Sequence, residues 1–286
     1  MESADAGSIG GYRLEGLIGQ GAAGEVQRAR DAAGRPLALK LVRLYGTEPP
    51  DDTRRRFAAE AATAQRLHHP DIVRVFGAGE EAGTGWIAME LLPGCDLTRY
   101  TRPARLLPEP VVLRVGERLA RALAFAHQLG VVHRDVKPSN VIVDWASDRV
   151  TLTDFGIASV AGSERTRTGL VLGTPAYMAP ELLAGTPPTA ATDIYALGAL
   201  LFELLCGRLP HTGVSMGDLL RSVAQGAAPD VRSVRADVPA AAAEVVAELL
   251  APISTQRPPS ALDAAERLQA ARERLPAGSP GPKSRA

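Results

Sequence analysis

The chain has 286 residues, and its charges balance, with 32 Lys and Arg against 32 Asp and Glu. This balance excludes a global basic field that would draw the protein onto nucleic acid or an acidic membrane. The length supports a substantial core, in one large domain or two small ones.

Aromatic residues make up 4% of the chain, while Ala and Leu dominate, a composition that favours helix. The two cysteines, Cys95 and Cys206, stand far apart and fit no metal-ligand spacing, so they read as free thiols of a reducing compartment. Residues Met1 to Gly10 carry Glu2 and Asp5 and no apolar run, unlike a signal peptide. The strongest apolar stretch, Ile194 to Cys206, falls short of the roughly 18 residues of a membrane helix and contains Glu203. The expectation is a soluble, cytoplasmic chain without membrane contact, a membrane anchor beyond residue 286 being left open.

In chain order, Tyr12 to Ile18 reads as a short strand. It leads into Gly19-Gln20-Gly21-Ala22-Ala23-Gly24-Glu25-Val26, where glycines let a backbone approach phosphates closely. Glu25 to Arg30 continues as a strand, Asp31 to Gly34 as a turn, and Leu37 to Lys40 as a further strand. A strand, glycine loop and strand followed by a strand lysine argue against the dinucleotide-binding pattern, in which the loop opens a helix. Lys40 lies among Leu39, Leu41 and Val42, and a buried lysine requires an acidic partner. Asp51, Asp52 and Thr53 supply N-cap candidates and first-turn acids for a helix on which Phe57, Ala61, Ala64 and Leu67 recur at helical spacing. Glu60 lies beside this stripe, twenty residues after Lys40, and is the expected partner. His68-His69-Pro70 reads as a helix exit rather than a metal site. Strands are expected at Ile72 to Phe76 and Trp86 to Leu92, with Pro93-Gly94 opening a second, mostly helical lobe.

In that lobe Val112, Val115, Leu119, Leu123 and Ala126 form an amphipathic stripe closed by Gly130. Short strands are expected at Val141 to Val143 and Val150 to Thr153. Asp193 to Gly198 opens a helix apolar nearly all round, hence buried, and Gly207 ends it. Three further helices are expected near Ser215 to Gln225, Ala240 to Leu250 and Ser260 to Arg274. The Pro-, Gly- and Ser-rich residues from Pro276 to Ala286 are expected to be disordered.

The chemistry concentrates in His133-Arg134-Asp135-Val136-Lys137-Pro138-Ser139-Asn140 and, fourteen residues after Asn140, Asp154-Phe155-Gly156. Asp135 can accept a hydroxyl proton. Asn140 and Asp154 offer hard oxygen ligands suited to magnesium. Lys137 adds a positive charge beside them. This set suits phosphoryl transfer, where a protein chiefly positions reactants and neutralises charge.

The octapeptide resembles the catalytic loop of eukaryotic-like protein kinases, and Asp154-Phe155-Gly156 resembles their metal-binding motif. The resemblance runs from about Tyr12 to Arg274. It implies an α+β bilobal fold: an N-terminal extension at 1–11, a β-rich lobe with one main helix at 12–92, a larger helical lobe at 93–274, and a tail at 275–286. It further implies that Ile18, Gly19, Gln20, Gly21, Ala22, Ala23, Gly24, Glu25, Val26, Ala38 and Ile142 surround ATP. By the same resemblance Met89 is the gatekeeper, and Glu90 to Leu92 form the hinge that bonds adenine. Lys40, held by Glu60, would bind the α and β phosphates. Asp135 would be the base, Lys137 the neutraliser of the transferring phosphate, and Asn140 and Asp154 the ligands of Mg2+ (or Mn2+). Ala179-Pro180-Glu181 resembles the end of an activation segment, its glutamate pairing with Arg257.

The function implied is a bacterial-type serine/threonine protein kinase acting on protein hydroxyls; Lys137 and Thr174 favour Ser/Thr over Tyr. The alternative, a nucleotide-binding pseudokinase, normally lacks one of Lys40, Asp135, Asn140 and Asp154, and all four are present. Arg134 and the polar segment around Thr166 and Thr168 suggest autophosphorylation there, in a homodimer, with Arg134 as an anchor and Thr174 reserved for a bond near Asp135.

Overall fold

The structure is a computed structural model that describes residues 7–21, 24–44, 50–155, 175–224, 226 and 228–275. Ala22, Ala23, Gly156, Thr166, Thr168, Thr174 and the tail from residue 276 lie outside these, as do the expectations placed on them. The chain forms two compact units that divide after Pro93, and Asp154 and Phe155 belong with the first.

The first unit is a six-stranded antiparallel sheet, β1 (Ser8–Ile9), β2 (Tyr12–Gly21), β3 (Gly24–Arg30), β4 (Pro36–Arg43), β5 (Val75–Glu81) and β6 (Thr84–Met89). Its strand order is β1-β2-β3-β4-β6-β5. The period of two along β4 sorts its side chains onto two faces. Leu37 and Leu39 join Ala29 and Ala88 in one cluster. Ala38 and Val42 join Phe57, Ile87 and Met89 in the other. Lys40 shares this second face, which is covered by α1 (Pro50–Gln65) through Phe57 and Ala64.

Several expected boundaries shift. β2 extends through Gly21, so the glycine segment is itself strand up to the turn. Helix α1 begins at Pro50, so Asp51 and Asp52 serve as first-turn acids that complement the helix dipole. β5 starts at Val75, not Ile72, because residues 69–72 close a turn: Ile72 N–H donates to His69 O (3.1 Å) and Asp71 N–H to His69 Nδ1 (3.1 Å). β6 stops at Met89 rather than Leu92; Glu90 N–H still reaches Arg74 O (2.9 Å), and the chain then leaves the sheet.

The second unit opens at Gly94, where φ is +99° and a Cβ would lie 2.1 Å from Val143 O, a position only glycine can occupy. A three-stranded antiparallel sheet follows, of β7 (Cys95–Asp96), β8 (Val141–Asp144) and β9 (Arg149–Leu152), in the order β7-β8-β9. The helices are α2 (Glu109–Gln128), α3 (Pro180–Leu183), α4 (Ala190–Cys206), α5 (Met216–Ala224), α6 (Val231–Val234), α7 (Ala240–Leu249) and α8 (Ala261–Glu273). Helix α4 is buried on every side from Thr192 to Phe202 and ends on Gly207 at φ +70°. Its fully buried leucines each contribute roughly 2 kcal/mol relative to exposure. Both cysteines are free, and burial pushes the Cys206 thiol up to about 11, leaving it protonated at neutral pH. Among the described residues no helix is long and apolar enough to cross a membrane.

Candidate active site

In the first unit the strands bring together the glycine segment, Lys40 and the metal-motif aspartate. Val26 pairs with Lys40 across β3 and β4, and Lys40 with Ile87 across β4 and β6. Gly24 has φ +119°, and a Cβ there would lie 2.0 Å from Leu41 O, so the hairpin itself requires this glycine. Gly19 and Gly21 differ: a Cβ at either would meet no atom within 4 Å. No neighbour demands glycine there, and the bare backbone leaves room for a ligand's phosphates. Ile18, half exposed, and Leu92 line a cleft of about 450 Å³ with Leu17, Leu91 and Pro93. Met89, expected from the resemblance to be the gatekeeper, is buried and pairs with Ala38 and Val75.

Lys40 is 3% exposed, and its ammonium pairs with Asp154 Oδ1 at 2.8 Å. The acid seen on Lys40 is thus the metal-motif aspartate, while Glu60, the partner expected from the sequence, lies in α1. Asp154 has φ +65°, an uncommon region for a residue with a side chain, and this turn brings its carboxylate into the ion pair. Such a conformation costs on the order of 1–3 kcal/mol, a cost the ion pair helps offset. The motif acid is nearer to this buried charge than sequence spacing alone indicated.

The second unit carries the catalytic loop. Lys137 Nζ lies 2.7 Å from Asp135 Oδ2. Asn140 Nδ2 donates to the same oxygen at 2.9 Å and to Asp135 O at 2.8 Å. Asp135 is thus held by a cation and an amide. With its nitrogen spent on Asp135, Asn140 presents its amide oxygen, a hard donor of the kind magnesium takes. Asn140 is fixed in turn, since its carbonyl accepts Thr153 N–H (2.8 Å) and Thr153 Oγ1–H (3.1 Å). Ile142 lies in β8, opposite Asp96 of β7.

Asp193, which sequence reasoning assigned only to a helix start, anchors this loop. It is 1% exposed. Its Oδ2 accepts His133 N–H (2.8 Å) and its Oδ1 accepts Arg134 N–H (2.8 Å). His127 Nε2 lies 2.8 Å from Oδ2. His133 Nε2 reaches Thr153 O at 2.8 Å, and its Nδ1 accepts Asp135 N–H at 3.2 Å. Arg134 adopts φ +72°, so the loop is bent sharply around this carboxylate. A charge in an otherwise apolar helix was the available signal, because it must have partners.

Farther along, Glu181 and Arg257 form a bidentate pair at 2.6 and 2.7 Å, as the resemblance implied. Arg257 also donates to the carbonyls of Ala191, Ala251 and Pro252, and its guanidinium stacks 4.9 Å from the Tyr195 ring centroid. Tyr177 OH donates to Glu203 Oε2 at 2.5 Å.

A β-sheet unit holding a buried lysine against an aspartate, and a helical unit presenting an Asp-x-Lys-x-x-Asn loop, carry the residue pattern of the protein kinase class. A model of the protein kinase domain family matches residues 12–268. The chain is 39% identical over 258 residues to the DNA damage-responsive serine/threonine-protein kinase RqkA of Deinococcus radiodurans, covering 88% of this chain and 38% of that protein. It is 36% identical over 240 residues to the serine/threonine-protein kinase PrkC of Bacillus subtilis, covering 83% and 37%. The crystal structure of the Mycobacterium tuberculosis PknI kinase domain superposes with a TM-score of 0.75 at 32% identity, covering 95% of this chain and all of that one. The chain belongs to the protein kinase domain family, in its bacterial eukaryotic-like serine/threonine branch. It spans less than two fifths of the length of these two curated relatives.

Proposed function

We propose that the protein transfers the γ-phosphate of ATP to serine and threonine hydroxyls of proteins, through a kinase domain at residues 12–274. The observation that carries this reading is the Asp135 carboxylate, clamped by Lys137 and Asn140 on a loop that Asp193 fixes. Asp135 orients the acceptor hydroxyl and takes its proton as the phosphoryl group leaves ATP. Lys137, already beside that carboxylate, offers its ammonium to the transferring phosphate. Lys40 holds the α and β phosphates from below the glycine strands, and the bare backbone of Gly19 and Gly21 allows close approach above them. Leu92 N–H donates to no group among the described residues, and with Glu90 it supplies the hinge for adenine.

The two residues that the resemblance assigns to the metal, Asp154 and Asn140, offer a carboxylate and an amide oxygen, donor types that suit a hard divalent cation. Bound Mg2+ or Mn2+ would neutralise phosphate charge. Thr166 and Thr168 are the proposed autophosphorylation sites, modified between two copies of the chain in the cytoplasm, with Arg134 as an anchor for the phosphate.

The test is transfer from radiolabelled ATP to a generic basic protein, to casein, and with no added acceptor. Label on protein that disappears with excess chelator is expected. Label that persists in chelator, or none on any protein, overturns the reading.

A further inference from the structure

Outside the catalytic groups, the most distinctive charged surface of the second unit is a row of arginines. Arg99 lies in the 3₁₀ turn Leu97–Tyr100, Arg105 in the turn Pro103–Arg105, and Arg102 caps that second turn in extended conformation, so three arginines recur within seven residues. All three side chains are exposed, and among the described residues none is paired with an acid. Asp96, the acid of this segment, is committed to capping, accepting Thr98 N–H (2.9 Å) and Thr98 Oγ1–H. The row therefore carries three uncompensated positive charges in a chain whose net charge is zero.

The row is also built on a firm support. Leu97 is fully buried, and Tyr100 OH accepts Trp145 Nε1–H at 2.7 Å, with the two rings meeting edge to face. Arg105 N–H closes the second turn onto Arg102 O at 2.8 Å. Gly207 lies against Pro103, bringing the exposed Arg208 into the same neighbourhood. Above all, the Leu97–Tyr100 turn packs against the Pro138–Asn140 turn of the catalytic loop.

The geometry points to the Arg99–Arg102–Arg105 row as a specificity surface that recognises acidic side chains of the acceptor segment, next to the hydroxyl that receives phosphate. Guanidiniums are suited to this because each can grip a carboxylate through two charge-assisted hydrogen bonds. An acceptor protein is favoured over nucleic acid or a lipid surface by position: the row adjoins the loop that carries Asp135, and nothing in the overall charge extends it into a broad basic face. The inference rests on the kinase reading above, and binding separates the two.

The probe is a fluorescent peptide with one serine flanked by glutamates, compared with the same peptide carrying glutamines. Affinities are measured by anisotropy on Asp135→Asn, without ATP, at low and moderate salt. The Glu peptide is expected to bind at least tenfold more tightly, with a preference that shrinks as salt rises. Arg99→Ala/Arg102→Ala/Arg105→Ala should abolish the preference, and the triple change to Glu should reverse it toward a lysine-flanked peptide. With the otherwise wild-type chain, turnover of the Gln peptide should be equal with and without the triple alanine change. Equal affinity for the Glu and Gln peptides, or an unchanged preference in the triple alanine protein, overturns the inference. So does capture by vesicles of anionic lipid without any peptide preference. Discriminating binding with no phosphate transfer to any protein would leave the row standing and sink the kinase reading instead.

Discussion

Asp193 Oδ2 lies 2.8 Å from the backbone nitrogen of His133, sixty residues earlier in the chain, while its other oxygen holds Arg134 N–H. The buried helix α4 thereby holds the catalytic loop through its backbone. Asp193→Asn replaces one acceptor oxygen with an NH2 that faces donors. The expected cost is about 3 kcal/mol, typical of breaking a buried charged network, and phosphotransfer should fall at least a hundredfold. Urea midpoints and initial rates on the same preparation check both. Retention of full stability and rate would mean that the loop is held by other contacts.

The Glu181–Arg257 pair makes a pH prediction. Burial alone would raise the Glu181 carboxyl, but the hydrogen bonds and charge of Arg257 hold it below its ordinary value. A depressed folded-state value contributes stability above the unfolded pKa of about 4.3, and that contribution is lost as pH falls through the folded value. Glu181→Gln should flatten the acid limb of the stability curve while lowering stability at neutral pH. Arg257→Ala should cost more, on the order of 3–5 kcal/mol, because its side chain is fully buried and three carbonyls lose their donor. Denaturant midpoints from pH 3 to pH 8 give the comparison.

Tyr177 and Glu203 make the opposite sign. Burial raises the Glu203 carboxyl above its ordinary value, and the Tyr177 hydroxyl partly counters this. Tyr177→Phe removes that donor, so the ionised carboxylate becomes more costly while the protonated form is little affected. The loss of stability should be about 1–3 kcal/mol near pH 8 and smaller near pH 5. A loss independent of pH would show that the phenol acts by packing alone.

Lys40→Met should separate activity from folding. Lys40 shares a sheet face with Ala38 and Val42, where methionine suits the surroundings, and Asp154 keeps partial access to water once the ion pair is lost. Removing one partner of the pair should cost about 1–3 kcal/mol, below the usual cost for a fully buried pair because Asp154 is 27% exposed and can be rehydrated. Loss of phosphate positioning should lower the rate by roughly a hundredfold to a thousandfold. A melting temperature moved by a few degrees together with an unimpaired rate would remove Lys40 from the site.

Much of this was legible in the sequence because it is local. The continuous apolar runs around Lys40 and along α4 mark elements buried on all sides, and the stripe on α2 encodes its burial through the helical period. The loop from His133 to Asn140 carries its own chemistry in order, and Glu181 with Arg257 was readable from the resemblance. What was not legible is nonlocal choice among partners. The pairing of Asp154 with Lys40 was not legible, because it depends on a turn at positive φ that brings together residues 114 positions apart. Asp193 was read as part of a helix because nothing in its immediate neighbours names the amides sixty residues away. The start of β5 was misplaced because Ile72 and Val73 are buried like strand residues while their backbone serves a turn.

The central claim is that the clamped Asp135 carboxylate drives phosphate transfer. The most direct measurement is intact mass of the wild-type chain and of Asp135→Asn after incubation with ATP and Mg2+, each starting from phosphatase-treated protein. The account predicts added phosphate on the wild type, mapping to Thr166 or Thr168, and an unchanged mass for Asp135→Asn although it still binds ATP. Equal phosphate incorporation by both proteins would contradict it.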